Sequence, residues 1–260
     1  MRKLLTLTVA LCAAMALSAV GFASAAGEGP VTVQVGNLTF VADGGFSPKA
    51  LSKKTLEPIS LDVEGEIKTT DGSHPPALKE VIIWGDKNAT VNAKGIPKCK
   101  GGELQSRDTK AAEAACGDAI IGEGLTTVEV QFPEQAPIDV KSKLLLVNGG
   151  TSGGTTTWYV HAYFNAPITG AIVTTVKIKN KKKGRYGTYS VASVPKIAGG
   201  AGSVKSFELT IDKNVKVGGK TYHPITAKCA DGKLQVEGEA KFSDGTKATA
   251  EVIRGCTPKG

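Results

Sequence analysis

The sequence predicts an all-β protein made of two tandem antiparallel β-sandwich-like domains, with one short helix in the first domain. Three observations support this fold class. Apolar and polar residues alternate with a period of two, as at Val31, Val33 and Val35, which is typical of half-buried strands. Turn pairs such as Asp244-Gly245 separate such runs. One segment of the chain is also used twice, which predicts a duplicated unit.

The repeated segment occupies residues 86–105, which read DKNATVNAKGIPKCKGGELQ, and residues 212–235, which read DKNVKVGGKTYHPITAKCADGKLQ. Five residues of the first copy match the second at a spacing of 126 positions: Asp86, Lys87, Asn88, Val91 and Lys94. After a four-residue insertion, five more match at a spacing of 130: Lys98, Cys99, Gly102, Leu104 and Gln105. The repeat predicts that residues 27–166 and 167–260 form two related domains, joined at the short segment NAPITG.

The period-two pattern places the strands along the chain. In the first predicted domain they cover residues 31–35, 59–63, 80–84, 125–132, 143–148 and 155–164. The second begins with residues 171–179 and turns through the basic segment NKKKGRYG. It continues with residues 188–194, 207–211, 233–242 and 246–253.

One helix is predicted between the first two cysteines of the mature chain, where the residues read SRDTKAAEAAC. Ser106 or Asp108 supplies the N-terminal cap, and Gly117 stands where helices commonly end. The apolar side of this helix is almost entirely alanine, so burial alone would hold it weakly. A disulfide from Cys116 is therefore expected to tether the helix to the sheet.

The first 26 residues have the features of a secretory signal peptide. Arg2 and Lys3 precede an apolar run, and small residues surround the predicted cleavage near Ala25 or Ala26. We expect a secreted or extracellular protein that is released or associated with the cell envelope. No later apolar run has the length of a transmembrane segment. Cleavage lowers the net charge from +8 to +6 by removing two basic residues, a mild excess that favours anionic polymers but does not indicate a specific nucleic-acid partner.

Four cysteines remain in the mature chain, an even number that fits an oxidising compartment: Cys99, Cys116, Cys229 and Cys256. Three pairings are possible. The repeat favours Cys99 with Cys116 and Cys229 with Cys256, because each bridge then closes a loop within its own copy. A four-thiolate metal site would need close pairs such as C-x-x-C, which the sequence lacks.

The densest charge cluster lies in the basic hairpin and comprises Lys177, Lys179, Lys181, Lys182, Lys183 and Arg185. A hairpin tip of this kind can bind phosphate-rich wall polymer or anionic lipid through salt-sensitive attraction. The alternative is a solubilising turn, whose lysines discourage edge-to-edge association of strands. We therefore predict a possible anion-binding site at these six residues and keep the alternative open.

Residues 174–211 read TTVKIKNKKKGRYGTYSVASVPKIAGGAGSVKSFELTI, and this stretch resembles an uncharacterised group of exported β-rich proteins from high-GC Gram-positive bacteria. The likeness covers most of the mature chain, including the four cysteines and the CTPKG ending. It implies export and a shared architecture, and it implies no activity.

The function predicted from the sequence is a non-catalytic binding or structural module whose partner is an anionic cell-wall polymer or another envelope protein. The alternative is a secreted hydrolase that uses Ser152 or His161. Ser152 lies in a G-x-S-x-G pattern, but strand-like residues follow it where a nucleophile elbow needs a helix. His161 lies between two tyrosines, and His74 and His223 each precede a proline, which indicates loop positions with little catalytic geometry. No cofactor or metal is predicted.

Overall fold

The alternating residues fold into strands throughout the described chain. In the computed structural model, which describes residues 20–27 and 29–260, Val31, Val33 and Val35 are buried while the residues between them are exposed. The strands of the first part of the chain are β1 (Val20–Ala26), β2 (Val31–Val35), β3 (Leu38–Ser47), β4 (Ala50–Ser52), β5 (Glu57–Pro58), β6 (Ser60–Thr69), β7 (Leu78–Asp86), β8 (Ala89–Val91), β9 (Ile120–Val130) and β10 (Ile138–Ser152).

The remaining strands are β11 (Thr155–Phe164), β12 (Gly170–Lys183), β13 (Tyr186–Ser193), β14 (Gly202–Ile211), β15 (Val215–Val217), β16 (Lys220–Tyr222), β17 (Ile225–Ala227), β18 (Lys233–Phe242), β19 (Lys247–Gly255) and β20 (Thr257–Lys259). The α-helix α1 covers Thr109–Cys116, and short 3-10 helices cover Gly101–Glu103, Gly117–Ala119 and Ala198–Gly200. No helix within the described ranges combines the length and the apolar character of a membrane span.

Thirteen strands form one large sheet in the order β1-β19-β18-β7-β13-β12-β11-β10-β9-β14-β6-β3-β2. All neighbours pair antiparallel except β1 and β19, which run parallel. The sheet curls until β2 lies beside β1 and β19, so it is nearly barrel-like. Smaller ladders join β17 to β5 and β8, β15 to β16, and β20 to β4.

The strand order does not divide at residue 166. Strand β7 lies between β13 and β18, and β14 lies between β9 and β6, so each half of the chain places a strand inside the other half's part of the sheet. The sheet therefore contains two series of six strands, β2-β3-β6-β14-β9-β10 and β11-β12-β13-β7-β18-β19. In each series the fourth strand comes from the other half of the chain. The prediction of an all-β, mainly antiparallel protein is confirmed. The predicted two-domain duplication, with separate domains at 27–166 and 167–260, is not confirmed.

The N-terminal segment takes part in the sheet. Most of the predicted signal peptide, residues 1–19, lies outside the described residues. Its last part forms β1, which pairs along Lys247–Ile253 of β19. A cleaved signal peptide would leave residues 1–26 outside the fold, whereas the backbone of residues 20–26 lies at the edge of the sheet. Cleavage near Ala25 or Ala26 stays a prediction.

The core fills the inside of the curled sheet. One apolar cluster includes Leu146, Trp158 and Ile178, and a second, formed by strands at the ends of the sheet order, includes Val33 and Phe242. Strand β10 is buried on both faces, because its alternate residues Leu145 and Val147 pack beneath α1 instead. This double burial accounts for the unbroken apolar run LLLV in its sequence.

Both predicted disulfides are confirmed. Cys99 pairs with Cys116 at a Cα–Cα distance of 5.5 Å, and Cys229 pairs with Cys256 at 6.0 Å. The first bridge lies at the C-terminal end of α1. At the N-terminal end, the Asp108 side chain caps the helix by accepting from the Ala111 amide at 2.7 Å. The helix thereby lies fixed against the outer face of β10 and β11, as its alanine-rich sequence requires.

Candidate functional site

Strand β12 carries five exposed lysines, and three of them alternate along the outer face of the sheet. Lys177, Lys179 and Lys181 are exposed, while Ile178 between them is buried in the core. This arrangement follows from the period of two in a strand, which turns alternate side chains to opposite faces. Lys182 and Lys183 continue the exposed cluster to the end of β12.

Two of these lysines lie against aromatic rings of the neighbouring strands. The register sets Tyr189 of β13 beside Lys179 on one side and Trp84 of β7 on the other. The Trp84 and Tyr189 ring centroids are 4.6 Å apart. The Lys181 ammonium lies 5.3 Å from the Trp84 centroid and 5.0 Å from that of Tyr189, and the Lys183 ammonium lies 4.8 Å from Trp84. These distances are within the range of cation–π attraction.

We call the surface formed by Lys177, Lys179, Lys181, Lys182 and Lys183 with Trp84 and Tyr189 the lysine face. Acidic residues border it on the far side of β7, where Glu237 of β18 stands opposite Trp84. Lys183 reaches Glu237 at 3.5 Å, with the lysine side chain half exposed. The positive potential is therefore concentrated over β12 and falls towards β18.

Arg185 differs from the five lysines with which the sequence grouped it. Its guanidinium donates to the Asp86 carboxylate at 3.0 Å and to the Lys233 carbonyl at 2.8 Å, and it forms an ion pair with Asp231. The hydrogen bond from Arg185 lowers the pKa of Asp231, and that same bond raises the pKa of Arg185. The arginine joins three segments of the protein, and its part in anion binding stays a prediction.

Ser152 and His161, the residues of the predicted hydrolase alternative, are not brought together. Ser152 is exposed in the hairpin between β10 and β11, opposite Thr155. His161 lies six residues beyond Thr155 on the same strand, which is about 20 Å at the usual rise of a strand.

The environment of His161 is also that of a structural residue. It is fully buried, and its Nε2 lies 2.9 Å from the Arg107 carbonyl oxygen. A carbonyl only accepts, so Nε2 carries the proton, and Nδ1 has no hydrogen-bond partner among the described residues. Burial lowers the pKa of His161 and favours the neutral imidazole.

A different serine and histidine do meet. His74, in the loop between β6 and β7, has its Nε2 3.0 Å from the Ser203 Oγ and its Nδ1 2.7 Å from the Glu129 Oε1. Ser203 and Glu129 are directly opposed in the β14–β9 ladder. We call these three residues the Ser203 cluster.

The Ser203 cluster was not predicted, because nothing in the linear sequence connects its members. His74 and Ser203 are 129 positions apart, and the proline after His74 indicates an irregular loop. That loop is irregular, but two hydrogen bonds hold it at its Ala77 end. The Ala77 amide donates to the Ser243 Oγ at 3.1 Å, and the Ser243 amide donates to the Ala77 carbonyl at 2.8 Å.

The Ser203 cluster lies at a polar surface cleft of about 350 Å³, which is also lined by Asn37, Ser73 and Asp244. No group of three His, Cys, Asp or Glu side chains placed to hold a metal ion occurs in residues 20–27 and 29–260. Comparison with protein-family models, with curated protein sequences and with solved structures finds no match to this chain. The lysine face and the Ser203 cluster are therefore the two candidate functional sites of the described chain.

Proposed function

We propose that this chain is a secreted binding module of the cell envelope that docks an anionic polymer through its lysine face. The observation that carries the proposal is the position of the Lys181 and Lys183 ammoniums, both within 5.3 Å of the Trp84 ring centroid. Export to the envelope is supported by the signal-like N-terminus and by the paired cysteines.

The aromatic rings make the lysines better anion ligands. A free lysine loses up to about 2 kcal/mol of side-chain entropy when a ligand immobilises it. Contact with Trp84 and Tyr189 restricts Lys181 and Lys183 beforehand, so less entropy remains to be lost on binding. Their ammonium groups still have donors to offer, because a cation–π contact uses the ring face and not a hydrogen bond.

Several weak contacts must act together for useful affinity. A single exposed ion pair contributes about 1 kcal/mol or less, and salt screens it. Five exposed lysines on one strand can engage successive charges of a polymer at once, which raises the affinity by avidity. The ligand class that fits is therefore a chain with repeated negative charges, such as a phosphate-rich wall polymer.

The test compares binding of two charge-matched variants to isolated Gram-positive cell walls and to poly(glycerol phosphate). Replacing Lys181, Lys182 and Lys183 by glutamine is expected to weaken binding at least tenfold at low salt and to make the salt dependence shallower. The control replaces Lys53, Lys54 and Lys94, which are exposed elsewhere, and is expected to change binding less than twofold.

A further variant, Trp84→Leu, keeps every charge and removes the ring beneath both ammoniums. Loss of about 1 kcal/mol of cation–π anchoring corresponds to roughly fivefold weaker binding. Equal losses in the two lysine variants would show that only net charge matters. Unchanged binding in the Lys181, Lys182 and Lys183 variant would leave the cluster as a solubilising turn.

A further inference from the structure

We propose that Ser203 is a nucleophile for acyl transfer, activated by His74 and supported by Glu129. Its hydroxyl oxygen, the imidazole and the carboxylate form a continuous chain with separations of 3.0 and 2.7 Å. Both distances are within the range for a nucleophile paired with its base and for a base oriented by a third group. The Ser203 cluster and the lysine face lie near opposite ends of β7. The His74 loop enters β7 at Leu78, whereas Asp86 at the other end bonds to Arg185 of the basic hairpin.

The fold holds the three groups in place before any ligand arrives. Glu129 and Ser203 are fixed by the ladder between β9 and β14, in which they stand directly opposite each other. His74 is positioned by the loop that contains Pro75 and Pro76 and that is pinned through Ala77 to Ser243. Two strands and a clamped loop supply the three groups. Little conformational freedom therefore remains to be lost when a substrate binds, which lowers the entropic part of the activation barrier.

The proton inventory assigns a role to each group. A neutral His74 that donates from Nδ1 to Glu129 leaves the Nε2 lone pair facing the Ser203 hydroxyl. When Oγ bonds to an ester carbonyl carbon, its proton passes to Nε2 and the carbonyl π pair moves to oxygen. Collapse of that intermediate breaks the bond to the alcohol, which takes the proton from Nε2. Water then repeats these steps on the acyl-serine and releases the carboxylic acid.

Glu129 acts here as a positioning residue. Its carboxylate orients the imidazole and stabilises the imidazolium that forms when His74 takes the proton. Lys205 shares this carboxylate at 3.1 Å and also contacts Asp139 at 3.0 Å, so part of the negative charge on Glu129 is neutralised. The support that Glu129 gives to a charged His74 is correspondingly smaller.

The Ser203 hydroxyl has a second acceptor, the Pro75 carbonyl oxygen at 2.6 Å. One hydroxyl carries one proton, so the bond to Pro75 and transfer to His74 exclude each other at any moment. With the proton on the Pro75 side the cluster is a closed structural clamp, and with the proton on the His74 side the oxygen is activated. Reaction with an electrophile distinguishes these two states, because only the activated oxygen is consumed.

The cleft sets the class of substrate. Ser203 is only 1% exposed and lies at its floor, so only a small acyl group can reach the oxygen. The lining is polar and carries the carboxylate of Asp244, which disfavours long fatty chains. Small esters, of the size of an acetyl ester, are the substrates that fit this site.

The experiment treats the full mature chain with excess methanesulfonyl fluoride, a serine-reactive probe of about the size of an acetyl group, and maps the labelled peptide by mass spectrometry. We expect one modification, on Ser203, and we expect Ser203→Ala to abolish it. His74→Gln is expected to lower the labelling rate by about 10²- to 10⁴-fold, the usual contribution of a general base. Ser152→Ala is the control, since this serine is exposed in the β10–β11 hairpin, and it should leave the labelling of Ser203 unchanged.

Mapping the label on the protein without substitutions tests whether Ser203 is the nucleophile even where a variant does not fold. Absence of label on the folded protein, or label spread over exposed serines at similar rates, would overturn the proposal. Labelling of Ser203 that persists unchanged in His74→Gln would also overturn it, because the oxygen would then react without its base. Hydrolysis of p-nitrophenyl acetate that disappears in Ser203→Ala would extend the result to turnover.

Discussion

The Asp86 carboxylate is a buried junction between three segments, and we expect its removal to destabilise the protein strongly. The carboxylate is 1% exposed and accepts from the Asn88 amide at 2.8 Å, the Gln235 amide at 3.0 Å and the Arg185 guanidinium at 3.0 Å. It thereby fastens the end of β7 to the start of β13 and the start of β18. The perturbation is Asp86→Ala.

The magnitude follows from what the substitution leaves behind. Two backbone amides lose their acceptor, at about 1 kcal/mol or more each for a buried donor, and the guanidinium loses a charged partner worth about 1.5–3 kcal/mol. Arg185 keeps its pair with Asp231, and its side chain is 20% exposed, which places its share at the lower end. The free energy of unfolding should therefore fall by about 4 kcal/mol.

The repeated segment provides a matched control. Asp212 is the counterpart of Asp86 in the second copy and is exposed, so Asp212→Ala should change the free energy of unfolding by less than about 0.5 kcal/mol. Urea denaturation followed by circular dichroism measures both variants. A loss below about 1.5 kcal/mol for Asp86→Ala, or equal losses for the two variants, would refute the assignment of Asp86 as a buried junction.

Two further predictions concern stability and pH. Replacing Cys99 and Cys116 by serine should cost about 3 kcal/mol by the chain-entropy estimate for a separation of 17 residues, and should speed hydrogen exchange in α1 more than in β10. Equal exchange in α1 with and without the bridge would contradict the tethering of the helix. Burial lowers the pKa of His161 in the native state. Below the unfolded-state pKa, the unfolded chain therefore binds a proton at His161 that the native protein does not bind. Stability should therefore be full above the unfolded-state value near 6.5 and should fall as the pH drops below it, by up to about 1.4 kcal/mol per pH unit; His161→Gln should remove this part of the acid dependence.

The secondary structure was largely predictable from the sequence because it is a local property. The strands at 155–164 and 233–242 have the predicted limits, and β2 has its alternate valines buried. Asp108 caps α1, as one of two candidates, because a side-chain acceptor three residues before a free amide is a short-range pattern. The cysteine pairing was predictable for a similar reason, since each bridge closes a short loop.

The arrangement of those strands was not predictable in the same way. Strand β7 finds its partners at residues 186–193 and 236–242, and no local pattern shows which strands will pair across such separations. The same limit applies to the sites. Arg185 and Lys183 are near neighbours in one basic run, and only the three-dimensional structure shows that Arg185 faces Asp86 whereas Lys183 faces Trp84. His74 and Ser203 come together only because β6, β14 and β9 are adjacent.

The exchange of β7 and β14 between the two halves of the sheet has a consequence for how the chain acquires its structure. As the polypeptide emerges from its N-terminus, β7 has no neighbour until β13 and then β18 follow it. The first half therefore exposes unpaired strand edges throughout most of synthesis or export, which is when β-rich chains are prone to associate wrongly. Pairing over such long separations is also intrinsically slow. A truncation that removes the last thirty residues thus removes β18, the partner of β7. Loss of C-terminal residues therefore destabilises a strand in the N-terminal half of the chain.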